Sequence, residues 1–161
     1  MTRFAALVEA AAAVGAVPGR NAKVALLAAA LDDLDPAEIE PAVGMLTARL
    51  RQGRLGVGWA TVSELGAAPA VDPMLTVLDV DEALTELAVL SGTGSALARA
   101  QALRRLMVRA TAPEQNWLIR LMLGEIRIGA LDGLMVEAVA AAAGMPVAAV
   151  RRAVMLSGSL G

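Results

Sequence analysis

The sequence contains no cysteine and no histidine. Without cysteine there is neither a disulfide frame nor a thiolate metal site. Without histidine, nucleophile activation by imidazole and the commonest metal ligand are both excluded. Tyrosine is also missing, phenylalanine occurs once and tryptophan twice, so aliphatic side chains and the eight methionines must build the core. The only lysine is Lys23; every other basic residue is arginine. No uncharged stretch reaches ~18 residues, the length a transmembrane helix needs. The start, "MTRFAALVEAAAAVGA", carries Glu9 inside its apolar run, where the core of a secretory signal carries no charge. A cytoplasmic protein is expected.

The remainder is rich in alanine, leucine and valine, spaced with helical rather than alternating periodicity. Helices are expected near 3–14, 21–33, 36–52, 59–66, 80–91, 95–110, 113–126, 131–143 and 147–156, and the fold class is all-α. The 161 residues suffice for one domain or two small ones. Start signals are frequent. "DPAE" places Asp35 before Pro36 with Glu38 three residues on, "TAPE" offers Thr111 with Glu114, and "DVDE" offers Asp79 with Glu82. Gly144 followed by Met145-Pro146 stops one helix and starts the next. "GAAPAVDP" (Gly66–Pro73) reads as a connector and "SGTGS" (Ser91–Ser95) as a short turn.

Charge is segregated. The net value is −2, but the acids concentrate before residue 87 and most arginines come after it. A chain of this kind can present a basic face despite its acidic total. Arg105 and Arg109 stand four apart on one helix face, a like-charge spacing that calls for an acidic neighbour, internal or external. Arg152 projects opposite the Val147–Val150–Val154 stripe and is expected to be exposed.

The pattern also repeats. A proline-started helix, an Arg-aliphatic-Gly turn and a second helix run from Pro36 through Arg54-Leu55-Gly56, and again from Pro113 through Arg127-Ile128-Gly129. Such units fit a pseudo-twofold pair with two turns on one face. In the first turn, "LGVGWATVSEL", Gly56, Val57 and Gly58 lead into a helix with few side chains in the way, so free N–H groups and the positive helix end are available to a phosphate. A helix-hairpin-helix DNA-binding turn is built this way. Gly129 admits two readings: it ends the preceding helix, or it lets a phosphate approach beside Arg127. Trp59 could brace the first turn from behind, and Trp117 lies on an apolar stripe. Acids are expected to lie away from both turns.

The landmarks "APEQNWLIRLMLGEIRIGAL" (Ala112–Leu131) and "LRQGRLGVGW" (Leu50–Trp59) resemble the N-terminal DNA-binding domain of ATP-dependent DNA ligases, particularly actinobacterial ones. The resemblance runs over nearly the whole chain. It implies two pseudo-twofold-related helical units, roughly 1–66 and 79–161 with a linker at 67–78, gripping nicked double-stranded DNA across the minor groove. Carried over by motif, the contacts fall on Gly56, Val57, Gly58, Arg127, Ile128 and Gly129; electrostatics adds Arg54, Arg105, Arg109 and Arg152. The family attacks ATP with a lysine in a K-x-D-G motif, with Mg2+ present. Lys23, in "NAKVALL", has no D-G after it, so the chain should bind and not seal, with no cofactor of its own. A monomer is expected, nucleoid-associated, without membrane contact, docking to the catalytic nucleotidyltransferase and OB domains of the same ligase. A helical protein-interaction scaffold is the alternative.

Overall fold

A computed structural model describes residues 1–126 and 131–157. Among the described residues there are nine helices and no strand: α1 (Phe4–Ala16), α2 (Arg20–Asp32), α3 (Pro36–Leu46), α4 (Trp59–Ser63), α5 (Val77–Val89), α6 (Ser95–Met107), α7 (Ala112–Met122), α8 (Leu131–Ala142) and α9 (Val147–Ser157). The all-α expectation holds.

Helix starts follow the side chains that cap them. In α3 the Glu38 carboxylate turns back to accept the Asp35 N–H at 3.1 Å. In α7 Glu114 does the same for the Thr111 N–H at 2.7 Å. Both glutamates are fully buried, because each satisfies donors that the first helical turn leaves open. Helix α5 corrects the expected start. Its cap is Thr76, which accepts the Asp79 N–H at 3.1 Å while Asp79 accepts the Thr76 N–H at 2.8 Å. Asp79 is the third residue of the helix and not its cap. Helix α3 also stops six residues short of expectation. At its end Ala48 takes φ +53°, and the Arg49 N–H reaches back to the Gly44 carbonyl at 2.8 Å. Helix α7 ends identically in kind: Gly124 takes φ +69° and the Glu125 N–H bonds the Arg120 carbonyl at 2.8 Å.

The repeat is therefore larger than the two turns. Helices α1, α2 and α3 have 13, 13 and 11 residues, and α5, α6 and α7 have the same lengths in the same order. Between the halves, the Phe4 N–H donates to the Leu75 carbonyl at 2.9 Å and the Val77 N–H donates to the Thr2 carbonyl at 3.1 Å. Phe4 and Val77 are the first residues of α1 and α5, so this exchange is self-reciprocal and marks the pseudo-twofold axis. Packing obeys it: α1 lies on α2 as α5 lies on α6, and α7 lies on α1 as α3 lies on α5.

One core runs through both halves. Equivalent positions are buried in pairs, Leu31 with Leu106, Ala42 with Leu118 and Met45 with Leu121. Phe4 sits beside the axis with no exposed surface. The halves differ at their last helix. Helix α4 has five residues, whereas α8 has twelve, packs along α2 and carries α9 on a satellite cluster of Val136, Ala140 and Val150.

Candidate nucleic-acid interface

The helix ends set the register of the two turns. Asp35 pairs with Thr111, Glu38 with Glu114 and Arg49 with Glu125, all by equivalent bonds. Pro36 is the first residue of α3 and Pro113 the second of α7, so the two prolines are not equivalent positions. Arg127, Ile128 and Gly129 themselves lie outside the described residues.

Arg51 and Gln52 fold back onto α5. The Arg51 guanidinium grips Asp81 through both Nε, at 3.0 Å, and Nη2. The Gln52 amide donates to the same carboxylate at 2.6 Å and to the Thr85 hydroxyl at 3.0 Å. Asp81 is buried. Burial alone would raise its pKa, but the bonds from Arg51 and Gln52 outweigh burial and hold the carboxyl below the usual carboxylate range. This is an acid placed directly against the first turn, contrary to the expectation that acids keep away. Arg51 neutralises it.

Beyond the latch the chain runs without helix to Gly58, and its residues alternate. Leu55 is buried and Val57 packs against the core. Arg54, Gly56 and Gly58 face outward. Gly58 is the N-cap of α4, in ordinary extended conformation, with open space where a Cβ would stand. Gly56 takes φ +65°, a conformation other residues adopt at a cost. The Arg54 side chain has no bonded partner among the described residues. Trp59 is 67% exposed and so does not brace the turn from behind. Trp117 does pack against the core, with its Nε1 buried and unbonded.

A cleft of about 500 Å³ runs between this turn and the end of α7. Arg54, Gly56 and Val57 line one side and Leu121 to Gly124 the other, with no acidic side chain among the described residues of the lining. The end of the helix leading to the second turn thus stands beside the first.

The other candidate arginines are placed differently. Arg105, in α6, pairs with Glu86 at 2.5 Å and Arg109, just beyond its end, with Asp79 at 3.0 Å, both reaching α5. The acids called for by their spacing are internal, and the charge of each arginine is offset there. Asp79 is itself held below the usual range: burial opposes this, but bonds from Thr76 and Arg109 prevail. Arg152 is exposed on α9, opposite the buried Val150, as its stripe predicts. Arg99 of α6 lies with its guanidinium across Gly56, where a Cβ would approach Cζ to 3.2 Å. Nothing local in the sequence links residues so far apart.

Residues 66–140 match the family model described as DNA ligase N terminus. Over that stretch the chain is similar to that family. The ligase-N-terminus match takes in α5 to α7 and most of α8. Whole-chain similarity reaches further and includes the first turn. The chain is 48% identical over 157 residues to a probable DNA ligase of Rhodococcus jostii (strain RHA1), covering 98% of this chain and 31% of that protein. A probable DNA ligase of Pseudarthrobacter chlorophenolicus is 52% identical over 155 residues, covering 96% and 31%. One from Anaeromyxobacter dehalogenans is 50% identical over 160 residues, covering 98% and 31%. The chain thus spans about a third of the length of the DNA ligases it matches, in their N-terminal region.

Proposed function

We propose that this chain is the duplex-DNA-binding part of an ATP-dependent DNA ligase of replication or repair, cytoplasmic and nucleoid-associated. It holds nicked DNA through phosphates, without reading sequence. The observation that carries this reading is the outward row Arg54, Gly56, Gly58 beside an acid-free cleft, in a chain about half identical to DNA ligases over nearly all its length. Backbone amides bared by glycine and an arginine without an acid partner suit a phosphate. By family motif Arg127, Ile128 and Gly129 serve the second turn. Arg152 adds an exposed positive charge, whereas Arg105 and Arg109, already paired, contribute less.

ATP and Mg2+ serve the whole ligase and do not fit these residues. Lys23 is followed by Val24-Ala25-Leu26, and among the described residues no three acidic side chains converge as a metal site. No sealing step is derived from this chain. What it supplies is grip and placement, with other parts of the ligase as partners. No single described helix is long and apolar enough to cross a membrane.

The test is fluorescence anisotropy of labelled nicked duplex, titrated with the chain at several salt concentrations. A log–log slope of several released counterions supports the reading. Absence of binding at low salt overturns it and favours a helical protein-interaction scaffold.

A further inference from the structure

The geometry points to Arg99 as a phosphate-binding residue of the first turn, one that uses the bareness of Gly56 to lie against it. The inference rests on the DNA-binding reading and assigns part of its charge to a particular side chain.

Three guanidinium atoms of Arg99 stand nearly equidistant from the place a Gly56 Cβ would take: Cζ at 3.2 Å, Nη2 at 3.3 Å and Nε at 3.4 Å. The guanidinium therefore lies flat over the Gly56 α-carbon. A side chain there would displace it, and φ +65° disfavours one in any case. Gly56 is bare because an internal cation occupies the space.

The bonding of Arg99 is unlike that of the paired arginines. Arg20, Arg51, Arg105 and Arg109 each hold a carboxylate. Arg99 donates Nη2 to a main-chain carbonyl, that of Leu90, at 2.5 Å, and its Nε is buried with no acceptor. A carbonyl bond orients the guanidinium and leaves its full charge in place. The buried Nε has no carboxylate to offset the charge among the described residues, so the charge remains available to an anion at the exposed side of the guanidinium. Arg104, five residues along the same helix, also holds a carbonyl, that of Leu65, at 2.7 Å. Arg104 thus ties the chain just after α4 to α6, while Arg99 lies against the turn before α4. Arg99 stands on the side of the outward row of Arg54, Gly56 and Gly58, so a phosphate seated on the bared amides meets its field at short range. Planar donors in fixed geometry suit a phosphate better than a lysine ammonium does.

The experiment compares the wild-type chain with Arg99→Gln, Arg99→Lys and Arg20→Gln by anisotropy on nicked duplex across a salt series, with thermal melting of each variant. Arg99→Gln is expected to weaken binding severalfold and to lower the salt slope by about one. Arg99→Lys keeps the slope and recovers only part of the affinity. Arg20→Gln, whose charge is paired with Glu137 and which has no place in the interface, keeps both nearly unchanged. If Arg99→Gln fails to fold, Arg99→Lys decides: reduced affinity with a retained slope supports the assignment, and wild-type affinity overturns it. Wild-type binding with an unchanged slope in folded Arg99→Gln overturns the role of Arg99 and leaves the DNA reading intact. No wild-type binding at low salt overturns both.

Discussion

Two glycines two residues apart do different work. Gly56 needs its left-handed φ and its empty side for Arg99, whereas Gly58 has an ordinary φ of −113° and open space around it. Gly56→Ala is therefore expected to cost about 1–2 kcal/mol of stability from the backbone conformation alone. Gly58→Ala should cost less than about 1 kcal/mol, the difference between glycine and alanine at an N-cap. Denaturant melts of the two variants check the order. The same pair bears on DNA: a methyl at Gly58 faces outward into the phosphate path. Gly58→Ala should then weaken duplex binding out of proportion to its small effect on folding. Equal affinity for Gly58→Ala and wild type would remove Gly58 from the interface.

At the scale of elements, each half tests the other. Ala48 closes α3 at φ +53°, where its counterpart closing α7 is Gly124 at +69°. Ala48→Gly is expected to stabilise the chain by about 0.5–1 kcal/mol, since it removes a left-handed strain that the second copy avoids. The buried caps differ too. Both oxygens of Glu38 are used, by the Thr2 N–H, the Thr2 hydroxyl and the Asp35 N–H, whereas Glu114 Oε1 is buried without a partner. Glu38→Ala should cost about 2–3 kcal/mol and Glu114→Ala about 1; a reversed order in urea titrations would contradict this bonding. These caps were legible in the sequence because a capping box is local: Asp35-Pro36 and Thr111 announce α3 and α7 within four residues. So were the helices themselves, from their periodicity. The early end of α3 was not legible, since Ala48 carries none of the glycine signal that marks such an end. The latch of Arg51 and Gln52 on Asp81 was hidden for another reason. It joins residues about thirty apart, and a buried acid of α5 reads in sequence like a solvated one. Thr76 was overlooked as the cap of α5 because Asp79, its N3 partner, is an equally good cap by type.

The symmetry of the molecule reaches its folding frame and stops at its charges. Asp81 and Thr85, the fifth and ninth residues of α5, receive Arg51 and Gln52. Their counterparts in α1 are Val8 and Ala12, which line a largely apolar cavity of about 550 Å³ with Trp117 and Leu134. The acid that neutralises Arg51 thus has no counterpart in the other half. Depressed carboxyls are unevenly placed as well. Glu38, Asp79 and Asp81 each have a pKa that burial would raise and that hydrogen bonds lower instead. The unfolded chain then binds more protons than the folded one as the pH falls through the carboxylate range. Their stabilisation is complete above about pH 4, the unfolded value, and is lost as pH drops through the lower folded values. With no histidine in the chain, no side chain of ordinary pKa titrates between about pH 5.5 and 7.5. The urea midpoint should therefore be flat across that window and fall steeply below about pH 4. Asp81→Asn should flatten the acid limb by removing one of the depressed groups, and should lower the plateau by weakening the latch. A midpoint that changed with pH between 6 and 7 would contradict the charge arrangement described for the folded chain.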